Sequence, residues 1–187
     1  MALAVSKSRH GLSIHLGKAR KYNHKVKLIM GFIYKDEAIF IKVRDKLKRK
    51  FGRIDFQPGP LDFNSTDYYK KEMGPGLKRR FISFSKLILM QDLYRIKLYT
   101  NRLEAEFLAS SGERQVNIDP GYLDLAKLVL ASTKDYAHRI YLRKGVFAEV
   151  TLNYRGNSFS PNDWTYPDYR SHEYADIFNK IRGLYIP

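Results

Sequence analysis

Apolar positions along the chain follow two periods, one typical of strands and one typical of helices. The run "VKLIMGFIY" (26–34) is apolar on both faces, which predicts a buried central strand. Asp36 then provides a helix N-cap, and Gly52 provides a stop. Between them an apolar stripe recurs at helical spacing: Phe40, Val43, Leu47 and Phe51. The chain is therefore predicted to begin its folded part with a strand and an amphipathic helix.

Two strands and a long helix are predicted next. Ile54 and Phe56 alternate with polar residues, which is a strand pattern. The segment "LKRRFISFS" (77–85) is a second strand candidate. Over residues 91–108, apolar side chains recur every three or four positions, so this segment is predicted to be the longest helix.

The segments on either side of a proline-glycine pair are harder to assign. "RQVNID" (114–119) predicts a short strand, which Pro120-Gly121 should stop. Residues 123–131 fit either a helix or a buried strand, and their leucines and alanines favour the helix.

The last part of the chain predicts a hairpin and a helix. Residues 136–143 and 146–155 form the arms, joined by a turn at Lys144-Gly145, and Ser171 caps the final helix. The preceding order of strands and helices is βαββαβ. We therefore predict an α+β fold, a ferredoxin-like βαββαβ sandwich extended by a C-terminal β-hairpin and helix. The hairpin would either join that sheet or pack beside it.

Charge and composition limit which classes of binding partner are expected. The chain has 34 Lys+Arg and 19 Asp+Glu, a formal net charge of +15. Residues 1–25 hold six bases and no acid, and are predicted to form a basic, weakly ordered N-terminal arm rather than a targeting peptide. Residues 26–187 are predicted to form a single α+β domain. Such a charge attracts RNA, DNA or phosphorylated ligands, although it also serves solubility.

Several classes of protein are excluded by what the sequence lacks. There is no cysteine, so disulfides and thiolate catalysis are excluded, which fits a cytoplasmic protein. No apolar run approaches the roughly 18 residues of a membrane helix, so no membrane partner is expected. No phosphate loop, G-x-G-x-x-G, G-x-S-x-G or H-E-x-x-H motif occurs.

The hairpin carries the candidate catalytic residues. With the turn at Lys144-Gly145, Ile140 would oppose Glu149 and His138 would oppose Thr151. His138 and Glu149 would then be diagonal neighbours on one face, with their α-carbons about 7–8 Å apart. A carboxylate beside a histidine is a common general acid/base arrangement, but it can also be an ordinary cross-strand pair.

The candidate ligand-binding residues are bases and aromatics near these segments, with one carboxylate. They are Arg79, Arg80, Lys134, Asp135, Arg139, Tyr141, Trp164, Tyr169 and Arg170. The aromatics of "WTYPDYRS" (164–171) could stack on a nucleobase or seal the edge of the core. Asp119, at the predicted turn, is the candidate metal ligand, with Asp135 as a second carboxylate and Mg²⁺ as the possible cofactor; Asp119 could instead bind the turn backbone.

Seven segments together resemble an uncharacterised prokaryotic family, domain of unknown function forty-four sixteen. In chain order they are "TDYYKKEMG", "LKRRFISF", "IKLYTNRLE", "VNIDPGYL", "KLVLASTKDYAHRIYL", "FAEVTLNY" and "WTYPDYRS". The resemblance runs from about Val26 to Leu184 and implies one compact domain. It implies no activity.

Two functions fit these observations best. The first is a polyanion-binding module for RNA or a nucleotide, indicated by the charge and the 14 tyrosines. The alternative is an enzyme acting on a phosphorylated small molecule or nucleotide through the pair of His138 and Glu149, with or without a divalent metal. An interaction protein whose basic arm docks on a larger partner is a third possibility.

Overall fold

The computed structural model describes residues 24–64 and 68–185. The predicted N-terminal arm lies almost wholly outside these residues. The strands are β1 Lys25–Tyr34, β2 Ile54–Phe56, β3 Leu61–Asp62, β4 Lys78–Phe84, β5 Ile88–Leu89, β6 Val116–Leu123, β7 Lys127–Ser132, β8 Ile140–Arg143, β9 Val146–Arg155 and β10 Ser158–Pro161. The helices are α1 Glu37–Phe51, α2 Lys70–Met73, α3 Leu93–Ala105 and α4 His172–Gly183, with 3₁₀ turns at Met90–Asp92 and Pro167–Arg170.

The strands form one large antiparallel sheet. Its order is β10-β9-β7-β6-β1-β4-β2, with β3 on β4, β5 on β1 and β8 on β9. The predicted α+β class is confirmed. The hairpin of β8 and β9 joins this sheet through the pairing of β9 with β7, and does not pack beside it.

Helices cover both faces of the sheet. On one face, α1 and α3 pack on β1, β4 and β6 through a core that includes Phe32, Phe40 and Leu103. On the other face, α4 packs through Phe178 and Ile181. Strand β1 is buried on both faces, as its apolar run predicts. None of these helices combines the length and apolarity needed to cross a bilayer, within the residues described.

The predicted helix caps are confirmed. The Asp36 side chain accepts a hydrogen bond from the Ala38 amide at 2.7 Å, and Ser171 accepts one from the Tyr174 amide at 3.3 Å. These caps fix where α1 and α4 begin. The predicted helix over 91–108 is confirmed with shorter bounds, as α3, but it is not the longest of the described helices, which is α1.

The helix favoured over 123–131 is wrong, because most of that segment is strand β7. Both edges of β7 are paired, one with β6 and one with β9. Its side chains alternate between two cores, Leu128 and Leu130 on one face and Val129 and Ala131 on the other. A strand buried on both faces has no polar alternation, so leucine and alanine propensity misled the assignment.

The predicted stop at Pro120-Gly121 is also wrong, because β6 runs through both residues to Leu123. The Ile118 amide and carbonyl form hydrogen bonds with side chains of α3, and they do not pair with β1. Pro120 lies two residues further on and faces the same way, so the ladder with β1 does not need its missing N–H. Gly121 allows close contact, since a Cβ there would lie 2.4 Å from the Val129 carbonyl oxygen.

The sheet forks at this point. Strands β6 and β7 pair only over three positions, from Gly121 opposite Leu130 to Leu123 opposite Leu128. Before Gly121, β6 stays on β1, while Ala131 and Ser132 of β7 stay on β9. The two halves of the sheet therefore diverge and leave a cleft between them.

The predicted hairpin register is wrong by one residue. Ile140 lies opposite Ala148, and not opposite Glu149, and the ladder is irregular between Tyr141 and Arg143. The turn itself is as predicted, with Lys144 and Gly145 both at positive φ. Irregular pairing near a turn shifts register without changing the turn, which the sequence does not reveal.

Candidate functional site

The fork between β6 and β7 opens a cleft of about 590 Å³. Its walls come from β4, β6, α3, the segment 130–139 and the loop 166–169. Five basic side chains line it: Arg79, Lys97, Arg114, Lys134 and Arg139. Four acidic ones do so: Glu104, Asp119, Glu149 and Asp168. The cleft is therefore strongly polar but close to neutral overall.

Arg79 lies at the floor of the cleft and is only 1% exposed. Its guanidinium donates to the Tyr169 hydroxyl at 2.6 Å and lies 3.2 Å from an Asp119 oxygen and 3.6 Å from an Asp168 oxygen. Burial opposes its charged form, but Tyr169, Asp168 and Asp119 outweigh burial and raise the pKa of Arg79 above its ordinary value. The floor is thus a fixed positive charge with a carboxylate on either side.

Burial also changes the pKa of one of these two carboxyl groups, that of Asp168. Asp168 has a raised pKa because burial disfavours its charge and Asp119 repels it, although Arg79 opposes both effects. Asp119 is more open to solvent than Asp168. The two carboxylates beside Arg79 are therefore chemically distinct.

Helix α3 contributes the wall that covers the open edge of β6. Glu104 accepts a hydrogen bond from the Ile118 amide at 2.7 Å, and the Lys97 ammonium donates to the Ile118 carbonyl at 3.0 Å. These two side chains take the place of a neighbouring strand. Burial raises the pKa of Glu104 to about 7, against the attraction of Lys97. The cleft wall thus contains a carboxyl group that titrates near neutral pH.

Among the described residues that line the cleft, two buried donors have no hydrogen-bond partner. Arg114 forms a double hydrogen bond with Glu72 and donates to Asn117 Oδ1 at 3.0 Å, which fixes the orientation of that amide. Asn117 Nδ2 then has no hydrogen-bond partner among the described residues, and neither does Arg79 Nε. Buried polar atoms are normally paired, and both of these atoms are enclosed by protein, so they are polar groups without a partner beneath the cleft surface.

The segment before β8 supplies the opposite wall. Arg139 donates to Glu149 at 2.9 Å, Ser132 Oγ at 2.8 Å, the Lys134 carbonyl at 2.9 Å and the Tyr166 hydroxyl at 3.0 Å. Burial opposes its charge, but the hydrogen bonds to Tyr166 and Glu149 raise the pKa of Arg139. Arg139 therefore ties this segment to the 166–169 loop.

The predicted contact between His138 and Glu149 is present, at 3.0 Å from Nε2 to Oε2. It forms although the predicted register is wrong, because His138 precedes β8 and is placed by the turn rather than by the ladder. Glu149 also accepts from Arg139 and Thr151, so its oxygens are occupied. His138 stacks on Trp164, with ring centroids 5.7 Å apart. Glu149 lines the cleft, but His138 does not.

Tyrosines and a lysine surround the mouth of the cleft. The rings of Tyr68, Tyr136 and Tyr166 line it and are each about half exposed. The Lys134 ammonium lies 4.3 Å from the centre of the Tyr68 ring. The mouth therefore offers flat aromatic surface together with an accessible positive charge.

Asp119 contacts Arg79, and a metal site does not form around it. Within residues 24–64 and 68–185, no three histidine or acidic side chains come together in a group that could hold a metal ion. Asp135 is exposed and does not line the cleft. The geometry therefore gives no support to the expected metal ligands.

A family model described as "Domain of unknown function (DUF4416)" matches residues 24–185. The chain belongs to this family. No curated protein and no solved structure matches the chain. The site of this DUF4416 protein must therefore be interpreted from its own geometry.

The five remaining candidate ligand residues either lie away from the cleft or belong to the structure that supports it. Arg80 points to the opposite face of the sheet, where it pairs with Glu37 and packs over Phe40. Tyr141 is exposed and contacts Phe147. Arg170 donates to carbonyls of its own loop, and Trp164 NH donates to the Val150 carbonyl. Tyr169 lines the cleft but is buried, as part of the core edge.

Sequence reasoning missed two of the residues that matter most here, Glu104 and Lys97. Both lie in the buried stripe of α3, where the other buried residues carry no charge. A charged residue at a buried helical position was the available signal, because such a residue needs a partner. Asp168, Asn117 and Arg114 gave no comparable signal.

Proposed function

We propose that this DUF4416 protein is an enzyme that acts on a phosphorylated small molecule or nucleotide bound in the forked-sheet cleft. One observation carries the proposal. Arg79, Asp119, Lys134, Arg139 and Glu149, singled out from separate segments, line one cavity of about 590 Å³. That volume is in the range of sites that enclose small ligands.

The charge of the cleft supports a small anion better than a long polyanion. Bases outnumber acids by one among its lining residues, and most bases already pair with an acid. The remaining capacity is local: it consists of the N–H donors of the exposed Lys134 ammonium at the mouth. Such donors suit one phosphate or carbonyl group rather than a chain of phosphates.

The mouth supports a ligand with a flat ring. Tyr68, Tyr136 and Tyr166 expose aromatic surface where a nucleobase could stack. The rings of Tyr68 and Tyr136 also contact cations of the protein, Lys134 and Arg139, so aromatic surface and positive charge lie together at the mouth. A nucleotide would place its ring at the mouth and its polar groups further in.

Glu104 is the proposed proton-transfer group. A carboxyl group with a pKa of about 7 gains and loses its proton readily at neutral pH. Glu149 and His138 have a positioning role in this proposal, because Glu149 holds Arg139 and is itself held by three donors. The predicted catalytic roles of Glu149 and His138 are thus replaced by positioning roles.

We also infer a ferredoxin-like arrangement for the first half of the domain. The order β6-β1-β4-β2, with antiparallel neighbours, supports it, since this is the order a βαββαβ unit adopts. The packing of α1 and α3 on one face of these strands supports it as well. The remaining strands would then extend that unit.

A ligand screen tests the proposed function. The full chain is melted with mononucleotides and sugar phosphates, with and without Mg²⁺. A ligand at about 100 times its Kd should stabilise by about 2.7 kcal/mol, a Tm rise of about 5–10 °C. Lys134→Ala should reduce the rise, whereas Lys180→Ala, an exposed lysine on α4, should not.

Turnover of each stabilising compound is then followed by phosphorus or proton NMR. Glu104→Gln should keep binding and lower turnover by about 100-fold or more. The proposal fails if none of these compounds raises Tm, or if Lys134→Ala and Lys180→Ala behave alike. Binding without turnover would contradict the proposed enzymatic activity and would indicate a binding protein.

A further inference from the structure

A second concave surface lies beside the cleft, between α3 and the tip of the β8–β9 hairpin. This groove has a volume of about 720 Å³. It is lined by Tyr94, Arg95, Leu98, Asn101, Arg102, Ala105, Arg143 and Lys144. Four of these residues are basic, and none of the described residues that line the groove is acidic. Its charge is therefore of one sign, unlike that of the cleft.

Contacts within the groove keep its cations at the surface. The Arg143 guanidinium lies 5.7 Å from the centre of the Tyr94 ring, and Arg95 Nε donates to the Tyr94 hydroxyl at 3.0 Å. The hydrogen bond from Arg95 and the nearby charge of Arg143 lower the pKa of Tyr94. Arg95 also has an acidic neighbour, Asp92 at 3.5 Å, which lies outside the groove wall.

Arg102 and Lys144 are exposed and form no ion pair with any of the described residues. Lys144 has a φ of +51°, in the left-handed region that favours glycine and asparagine. The hairpin tip thus carries a lysine where glycine or asparagine would suit the backbone better. Such a departure from local preference points to a role for the side chain.

We propose that this groove binds single-stranded nucleic acid through its phosphate backbone. Arginine guanidinium groups pair well with phosphates, and four cations along one groove would follow successive phosphates. Because the groove is concave, lying between a helix and a hairpin, a flexible strand can follow it more easily than a flat membrane surface can. Leu98 and Ala105 add apolar surface to the lining of the groove.

The groove and the cleft share Asn101. A strand in the groove would therefore run towards the cleft mouth. The proposal nevertheless stands on the charge and shape of the groove alone, and it does not depend on what the cleft binds.

Fluorescence anisotropy with a labelled single-stranded RNA of about 12 nucleotides tests the proposal. The full chain is compared with Arg102→Glu/Lys144→Glu. The matched control is Arg155→Glu/Lys180→Glu, which reverses two exposed charges at the end of β9 and on α4. All three proteins keep residues 1–23, and thermal melting checks that each one folds.

The groove variant should bind the RNA at least tenfold more weakly, and the control should bind like the parent. Each lost phosphate contact should also lower the slope of log K against log salt by about 0.7, so two contacts give about 1.4. Equal weakening in both variants, or no binding by the parent, would overturn the proposal. So would tighter binding to duplex or to vesicles of anionic lipid, if the groove variant lost that binding too.

Discussion

The buried carboxyl group of Glu104 predicts a specific dependence of stability on pH. Glu104 is 8% exposed and accepts a hydrogen bond from the Ile118 amide. Its charged neighbours act in both directions, since Lys97 and Arg114 favour its ionised form and Asp119 disfavours it. Replacing Glu104 with glutamine keeps an oxygen acceptor at this position and removes the titration.

The magnitude follows from the two pKa values. Burial raises the pKa of Glu104 from 4.5 to about 7. One pKa unit corresponds to about 1.4 kcal/mol, so the full effect is about 3 kcal/mol. Between these pH values the folded chain keeps the proton and the unfolded chain has lost it. The free energy of unfolding therefore falls as pH rises from about 4.5 to about 7, and the effect is complete above that.

Urea unfolding of the parent and of Glu104→Gln at intervals from pH 4.5 to 8 measures this effect. The unfolding free energy of the parent minus that of the variant should fall by about 3 kcal/mol across the range. Glu106→Gln, on the exposed side of the same chain segment, controls for the loss of one carboxylate. A difference that stays flat, or that grows with pH, would refute the argument that burial holds the Glu104 proton.

Three further predictions concern the fold around the cleft. Gly121→Ala should cost about 1–3 kcal/mol in urea unfolding, because its Cβ would lie 2.4 Å from a carbonyl oxygen of β7, whereas Gly183→Ala, with open space around it, should cost little; equal costs would contradict this. Arg139→Met and Glu149→Gln should each cost about 3–5 kcal/mol by breaking a buried pair, and the double variant should cost clearly less than their sum; additive costs would rule out the pairing. Asp36→Ala should cost about 1 kcal/mol through the lost cap of α1, measured by thermal melting, and no loss would mean that the cap is not stabilising.

Much of the fold could be predicted from local pattern. The stripe from Phe40 to Phe51 and the capping residue Asp36 define α1, because an amphipathic helix and its cap are encoded within a few turns. Strand β7 could not be assigned in this way. Its apolar run is explained by pairing with β6 on one side and β9 on the other, which the pattern of a single segment does not reveal.

The site was predictable only in its parts. Arg79, Asp119 and Arg139 stood out as ionisable residues within predicted strands, and all three line the cleft. Their meeting point depends on where β6 and β7 stop pairing, which is a property of tertiary contacts. Glu104 was overlooked because its helix was interpreted as an apolar stripe.

Pro120 keeps the cleft open by preventing further pairing between β6 and β7. Paired strands lie about 5 Å apart, so one more rung between β6 and β7 would fill the space nearest the fork. The next rung would need a donor from residue 120 on the open side, and proline has none. One proline within the sheet thus limits the pairing of β6 and β7 to three positions. The space beyond that pairing stays available to a ligand.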